Sequence, residues 1–176
     1  SGIVAVDSET GHIIGSCFQH DRPTHVSLGI MNVHPSHARR GVAGALLRQI
    51  VEAAGLKGKP VRLVSSAMNL DSFSLYTRVG FVPRRTFQDM YLAVPADGLT
   101  ARVGDVAGTV RDAKPGDLDA IVALEKELTG IERVKDFSYF IKNAQGFWHM
   151  SVIEGANDIQ GFLVSCGHPG LNMFGP

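Results

Sequence analysis

The apolar positions change rhythm along the chain, and each rhythm predicts a different element. Residues 3–6 (IVAV) and 13–18 (IIGSCF) are short apolar runs joined by the turn-rich Asp7-Ser8-Glu9-Thr10-Gly11, which predicts a β-hairpin. Residues 25–33 (HVSLGIMNV) predict a third strand, and Pro35 stops it by biasing His34 away from the helical region. From Val42 the spacing becomes helical, with apolar residues at 42, 43, 46, 47, 50, 51 and 54 on one face and an end near Gly55. Residues 61–64 (VRLV) predict a short strand after the loop 57–60. Residues 71–79 predict a second helix closed by Gly80, and 81–94 read as a strand bent around Pro83. Strands and helices in this order predict an α/β layer with at least one parallel pairing.

Residues 95–108 (PADGLTARVGDVAG) have no clear period and read as a linker. Beyond them, 109–111 predict a short strand, and Asp117 is placed to cap a helix with Leu118, Ile121, Val122, Leu124, Glu125 and Leu128 on or near its apolar stripe. Residues 134–142 predict another helix, and 147–153 and 161–165 two more strands. The stretches 4–17 (VAVDSETGHIIGSC) and 151–166 (SVIEGANDIQGFLVSC) share a layout of strand, acidic turn and Gly-containing strand ending in Ser-Cys. Read as an internal repeat, they make the chain the back part of one copy followed by the front part of the next.

Composition narrows the classes. The chain is 44% hydrophobic and 19% charged, enough to bury a core, and Lys+Arg and Asp+Glu balance at 17 each. No overall field points to nucleic acid or an anionic membrane, so an anion site has to be local. Cys17 and Cys166 are too far apart in sequence for a disulfide framework or zinc cluster and read as buried thiols in a reducing, cytoplasmic setting. No apolar run reaches the roughly 20 residues of a membrane span. Because the chain opens on Ser1 rather than Met, it reads as processed or as a piece of something longer.

Two stretches carry candidate chemistry. In HPSHARRGVAGALL, a helix beginning near Val42 leaves its first N–H groups without intrahelical acceptors, at the positive end of its dipole. Small residues at 41, 43 and 44 let an anion approach, and Arg39 and Arg40 add full charges beside it. The result is a cradle suited to a pyrophosphate. The same stretch reads equally as an ordinary strand-to-helix turn with its arginines in solvent. In NLDSFSLYTRVGF, Phe73, Leu75 and Tyr76 fall within one turn; Tyr76 either packs in the core or offers a phenolic proton. The pair His34 and His37 is too small a ligand set to predict a metal.

Together the two stretches resemble the GNAT superfamily of N-acetyltransferases. That family is similar in carrying a Gln/Arg-x-x-Gly-x-Gly/Ala loop, here Ala38-Arg39-Arg40-Gly41-Val42-Ala43, with Ala38 departing from the pattern. Its next motif, Asn-x-x-Ser/Ala-x-x-Leu/Phe-Tyr-x-Lys/Arg-x-Gly-Phe, is met by Asn69, Ser72, Leu75, Tyr76, Arg78, Gly80 and Phe81. The resemblance implies a GNAT-like mixed α/β fold (α+β), a splayed β-sheet flanked by helices, composite from two partial copies. It implies an acetyl-CoA-binding part over 1–94 (strands two to seven of that fold), a linker over 95–108, and the incomplete N-terminal part of a second domain over 109–176.

The implied activity is acetyl transfer from acetyl-CoA to a primary amine by direct attack, without metal. Met31 and Val33 would pair with the pantothenate arm. Arg39, Arg40, Gly41, Val42, Ala43 and Gly44 would hold the pyrophosphate, and Asn69 and Ser72 would line the channel. Tyr76 would be the general acid on the departing thiolate. Cys17 is assigned to packing, and His25 and His34 are the candidate bases. The acceptor is a small-molecule or peptide amine. No nucleic acid or membrane partner is expected, and the two partial copies would pair within the chain or in a homodimer. Residues 109–146 would supply the elements that the first half lacks. The alternative is a non-catalytic CoA-binding or structural module.

Overall fold

The computed structural model describes residues 1–88, 90–98 and 108–175. The chain divides into two compact units, one of residues 1–82 with 129–133, the other of 83–128 with 134–176.

In the first unit, β1 (Gly2–Val6), β2 (Ile13–Asp21), β3 (Val26–Val33) and β4 (Val61–Arg62) form one sheet in that order. β1–β2–β3 is an antiparallel meander, and β4 lies parallel to β3. The parallel pair is reached through α1 (Val42–Gly55), whose Leu46, Leu47, Ile50 and Ala54 bury against Cys17, Val26 and Leu28. A parallel neighbour needs such a crossover, and an amphipathic helix covers the sheet face while making it. α2 (Leu70–Val79) lays Leu75, Tyr76 and Val79 on the same core and ends at Gly80, whose φ of 103° suits glycine. Residues 129–133 join this unit through the Glu132 N–H, which donates to Thr24 Oγ1 at 3.1 Å, and Arg62 Nη1, which reaches the Thr129 carbonyl at 3.5 Å.

Two irregularities in the sheet position the site. Cys17 faces Met31 and Gln19 faces Leu28, so Gly29 and Ile30 together oppose Phe18 alone. This β-bulge shifts the alternation of β3 by one residue: Val26 and Leu28 are buried before it, and Met31 packs on that same core after it. The second is the brevity of β4. It pairs at Val26–Val61 and Ser27–Arg62, after which β3 runs on alone along that edge among the described residues. The parallel strands are therefore splayed.

The second unit holds an antiparallel sheet ordered β5 (Thr109–Asp112), β6 (Trp148–Glu154), β7 (Ile159–His168), β8 (Leu171–Gly175). α3 (Leu118–Thr129) contributes Ile121 and α4 (Val134–Lys142) contributes Phe137 to a core with Met150, Val152 and Val164. The Arg111 guanidinium ties β5 to both Asp117 (Nη1–Oδ2 2.7 Å) and Glu154 (Nε–Oε2 2.9 Å). The meander β6–β7–β8 matches β1–β2–β3 in one telling register: Cys166 faces Met173 as Cys17 faces Met31.

Three expectations need correction. Residues 81–88 and 90–94 form no strand; Pro83 breaks the run, and Phe87, Met90, Tyr91 and Leu92 are exposed, so alternation there found no sheet among the described residues. The strand over 61–64 shrinks to two residues, because Val64 is already turned out to solvent. Asp117 precedes α3, but its carboxylate accepts from the Lys114 N–H at 2.7 Å and from Arg111 rather than capping that helix. Of the linker over 95–108, residues 99–107 lie outside the described residues.

Candidate functional site

The candidate site is built where β3, α1 and α2 meet in the first unit. Gly15 makes that meeting possible. A Cβ on Gly15 would lie 2.9 Å from Val42 Cγ1 and 3.3 Å from Leu46 Cδ1, so only glycine lets the first turn of α1 rest on β2. A shallow cavity of about 240 Å³ opens beside it against Ile14, Asn32, Val33 and His34.

The loop into α1 is bent by two left-handed residues, Arg39 (φ 60°) and Gly41 (φ 84°), the latter at the helix N-cap. Nothing lies within 4 Å of a Cβ built on Gly41, so its face is open. No side chain caps α1, and its first turn carries no acidic residue. The first backbone bond is donated by Ala45 to the Gly41 carbonyl at 3.0 Å. The N–H groups of Val42, Ala43 and Gly44 thus have no described acceptor, at the positive end of a 14-residue helix. Arg39 and Arg40 are exposed beside them. Gly44 sits under Arg48, whose Nη1 would be 3.5 Å from a Cβ there, a third guanidinium the sequence reading did not single out. Cations normally avoid a helix N-terminus, and this concentration is electrostatically costly until an anion joins it.

Met31 and Val33 lie on the strand edge that the splay leaves open. The His34 N–H donates to the Ile14 carbonyl at 2.8 Å, so His34 faces β2. By alternation Asn32 faces β2 as well, while Met31 and Val33 turn their N–H and C=O groups the other way. The bulge at Gly29–Ile30, which sequence reasoning missed, fixes this parity. The glycine within an otherwise apolar run was its one available signal.

Tyr76 is half-buried on the core shared by Cys17 and Met31, with its ring 5.8 Å from that of Phe81. Burial pushes its phenol above the ordinary value, the Cys17 thiol pushes the same way, and the Ser72 hydroxyl pulls against them. The phenol therefore keeps its proton at neutral pH and can donate it. Cys17 is fully buried, and burial raises its thiol too, as fits packing rather than attack. Asn69 caps α2, its Oδ1 accepting from the Ser72 N–H at 3.1 Å; both residues thus stand at the start of the helix that carries Tyr76.

The two candidate bases differ. His25 is buried, and desolvation followed by Arg62, Arg22, Arg133 and Lys59 pushes it down to about 4, too weak a base for neutral pH. It also lies at the start of β3, while the loop follows the end of that strand. His34 is exposed but has its Nδ1 occupied by Ser36. Among the described residues no group of three or more His, Cys, Asp or Glu could hold a metal ion, and no helix is long and apolar enough to cross a membrane.

The family model described as FR47-like protein matches residues 2–90, just over half of the chain. No curated protein matches. Among solved structures, the chain is similar to a putative acetyl transferase from Pyrococcus furiosus at 18% identity and TM-score 0.47, covering 52% of this chain and 64% of that one. It is similar to an acetyltransferase of Trypanosoma brucei at 24% identity and TM-score 0.43, covering 52% and 68%. It is also similar to the ribosomal-protein-S18-alanine N-acetyltransferase of Escherichia coli at 22% identity and TM-score 0.44, covering 51% and 57%. The chain thus spans less than two thirds of the length of the first and last of these. With a family match running from β1 through both candidate motifs, the chain belongs to the FR47-like family.

Proposed function

We propose that the first unit binds acetyl-CoA and transfers its acetyl group to a primary amine. The observation that carries the reading is the first turn of α1, three N–H groups with no described acceptor and no acidic residue in that turn, with Arg48 packed over Gly44 and Arg39 and Arg40 exposed in the preceding loop. Amides from Gly41 to Gly44 suit a pyrophosphate. The outward N–H and C=O groups of Met31 and Val33 suit an amide-bearing pantothenate arm laid along the splay. Asn69 and Ser72 would stand along the same path.

The residues then have separate tasks. The open edge of β3 aligns the thioester and offers an N–H to the carbonyl oxygen as negative charge develops there. Tyr76, kept protonated by its surroundings, donates to the sulfur as it leaves. An amine can attack directly, so Cys17 needs no role beyond packing. The acceptor is a small-molecule or peptide amine, and the compartment is the cytoplasm. The matching Cys–Met registers of the two meanders support a tandem origin.

The test is release of free thiol from acetyl-CoA by the full chain with a panel of primary amines. Amine-dependent release supports the transferase. Saturable acetyl-CoA binding with no release for any amine leaves the non-catalytic CoA-binding module, which the departure at Ala38 favours.

A further inference from the structure

The sheet of the first unit has a second face that the acetyl-transfer reading does not use. Ile3, Ala5, Cys17 and Met31 pack with α1 and α2 in the core on one side. Cross-strand partners share a face and successive residues alternate. The pairs Val4–Ser16, Val6–Ile13 and Gly2–Phe18 therefore lie on the other side, joined by Ile30 after the bulge. Val4, Val6, Ile13, Phe18 and Ile30 are between 52% and 69% exposed there. The polar outward positions are Ser16, His20, Ser27 and Asn32, so β1, β2 and β3 present no Asp, Glu, Lys or Arg on this face. The one acidic residue of β2, Asp21, pairs with the buried Val26 and is held by Lys57 and Lys59 at 2.6 and 2.8 Å, beyond the end of α1.

An antiparallel sheet with one solvated face ordinarily alternates apolar inward and polar outward. The second unit follows this rule. Its positions turned away from α3 and α4 set Asp112, His149, Ser151 and Ser165 beside Val110 and Leu163. There His149 Nε2 lies 3.5 Å from Asp112 Oδ1 and 3.0 Å from Ser151 Oγ. The outward side of the first unit breaks the rule, with aliphatic and aromatic residues on all three strands of the meander and no charge among them. Its five apolar side chains leave roughly 500 Å² in water, the upper end of what a monomer shows in one patch.

We propose that this face is a homodimer interface, on which a second copy of the chain packs sheet to sheet. The proposal does not depend on the acetyl-CoA reading. Size, charge and shape all suit a second copy. With its polar rim the face offers on the order of 800 Å² per copy, the share that a standard interface takes from each partner. A two-fold contact sets a surface against itself, so any charge on it is brought toward its like, and this surface has none. The face also holds both a projection and a recess. Phe18 and Ile30 stand out toward its Asp21 end, and the shallow cavity of about 240 Å³ is lined by Ile13, Ser16 and Asn32 toward the other. Two-fold rotation lays the projection of each copy over the recess of the other. Sheets stacked in this way lie about 10 Å apart, with their strands about 30° from parallel.

The experiment is sedimentation equilibrium of the full chain from about 1 to about 100 μM, which brackets a micromolar dissociation constant. The wild type is expected to rise from 18.9 kDa toward twice that mass across the range. Ile30→Lys and Phe18→Glu each bury an unpaired charge in the interface and weaken association by at least about 100-fold. Added salt leaves the wild-type dimer intact, because no ion pair holds it. Leu163→Lys, on the outward side of the other sheet, also leaves it intact. Circular dichroism checks that each variant is folded, and Ile30→Lys, the most exposed of the five positions, decides if Phe18→Glu does not fold. A wild type that stays monomeric to the top of the range overturns the proposal, whatever else covers the face. So does a dimer that persists in folded Ile30→Lys or dissociates in Leu163→Lys, since the copies would then meet through another surface.

Discussion

Gly15 and Val42 are in a contact that leaves no room for a side chain: a Cβ on Gly15 would stand 2.9 Å from Val42 Cγ1. Since Val42 opens α1, the sheet and the loop into α1 are positioned by the same contact. Gly15→Ala should therefore lower stability by about 1–3 kcal/mol, the scale of overpacking a filled site. Because Val42 is β-branched and the Asn32 carbonyl lies 3.2 Å away, there is little slack to absorb the methyl. Urea unfolding measures the loss, and acetyl-CoA affinity should fall with it as the first turn of α1 is displaced. Unchanged stability and affinity would mean the helix seats itself without this contact.

Tyr76→Phe removes the phenolic oxygen and keeps the ring that packs beside Phe81. Turnover should fall by about 10²–10⁴-fold, the range of a single general acid, with acetyl-CoA affinity nearly unchanged. A rate equal to wild type would take the acid role from this residue.

Asn69 separates a cap from a ligand. Asn69→Ala frees the Ser72 N–H and should cost about 0.5–2 kcal/mol. Asn69→Asp keeps a capping oxygen and should recover most of that stability. If Asn69 also lines the acetyl-CoA path, affinity stays impaired in the aspartate variant although the fold is restored. Affinity that recovers together with stability would confine Asn69 to the cap.

His25 sets an acid limit on the first unit. Its folded value is pushed down to about 4, while an unfolded histidine titrates near 6.5. Between those values the unfolded chain binds the extra proton, so stability is full above about pH 6.5 and is lost as the pH falls toward 4. Thermal unfolding of wild type across that window should show this slope, and His25→Gln should flatten it. An equal slope in both would assign the acid sensitivity to other groups.

Where apolar spacing and a terminator agree, the sequence was a reliable guide. The stripe from Val42 to Ala54 followed by Gly55 marks the ends of α1, and residues 134–142 mark α4, because a one-sided helix against a sheet leaves a regular imprint. Gly80 could be read as a cap because a left-handed residue after a helix is usually glycine. Strand pairing is different, since it depends on a partner elsewhere in the chain. The run 81–94 alternates like a strand and stays irregular in its described residues, and β4 stops after Arg62. The bulge at Gly29–Ile30 is equally a property of two strands, visible in neither alone. At the candidate site, the turn into α1 and the place of Tyr76 on α2 were legible because helix ends and motif spacing are local. Arg48 over Gly44 and the contact of His37 Nε2 with Asp7 Oδ2 arise from a side chain folding back and from a turn thirty residues upstream, and local pattern does not record them.

The central claim is that the start of α1 is an anion cradle for acetyl-CoA, and calorimetric titration of acetyl-CoA into the full chain, wild type against Gly41→Glu, tests it most directly. The substituted residue brings a carboxylate to the cradle and a side chain to a φ of 84°, while the open space around Gly41 spares the core. Saturable binding by the wild type that is lost in Gly41→Glu, with both proteins folded, is the predicted result. Equal binding by the two proteins, or none by the wild type, would contradict it.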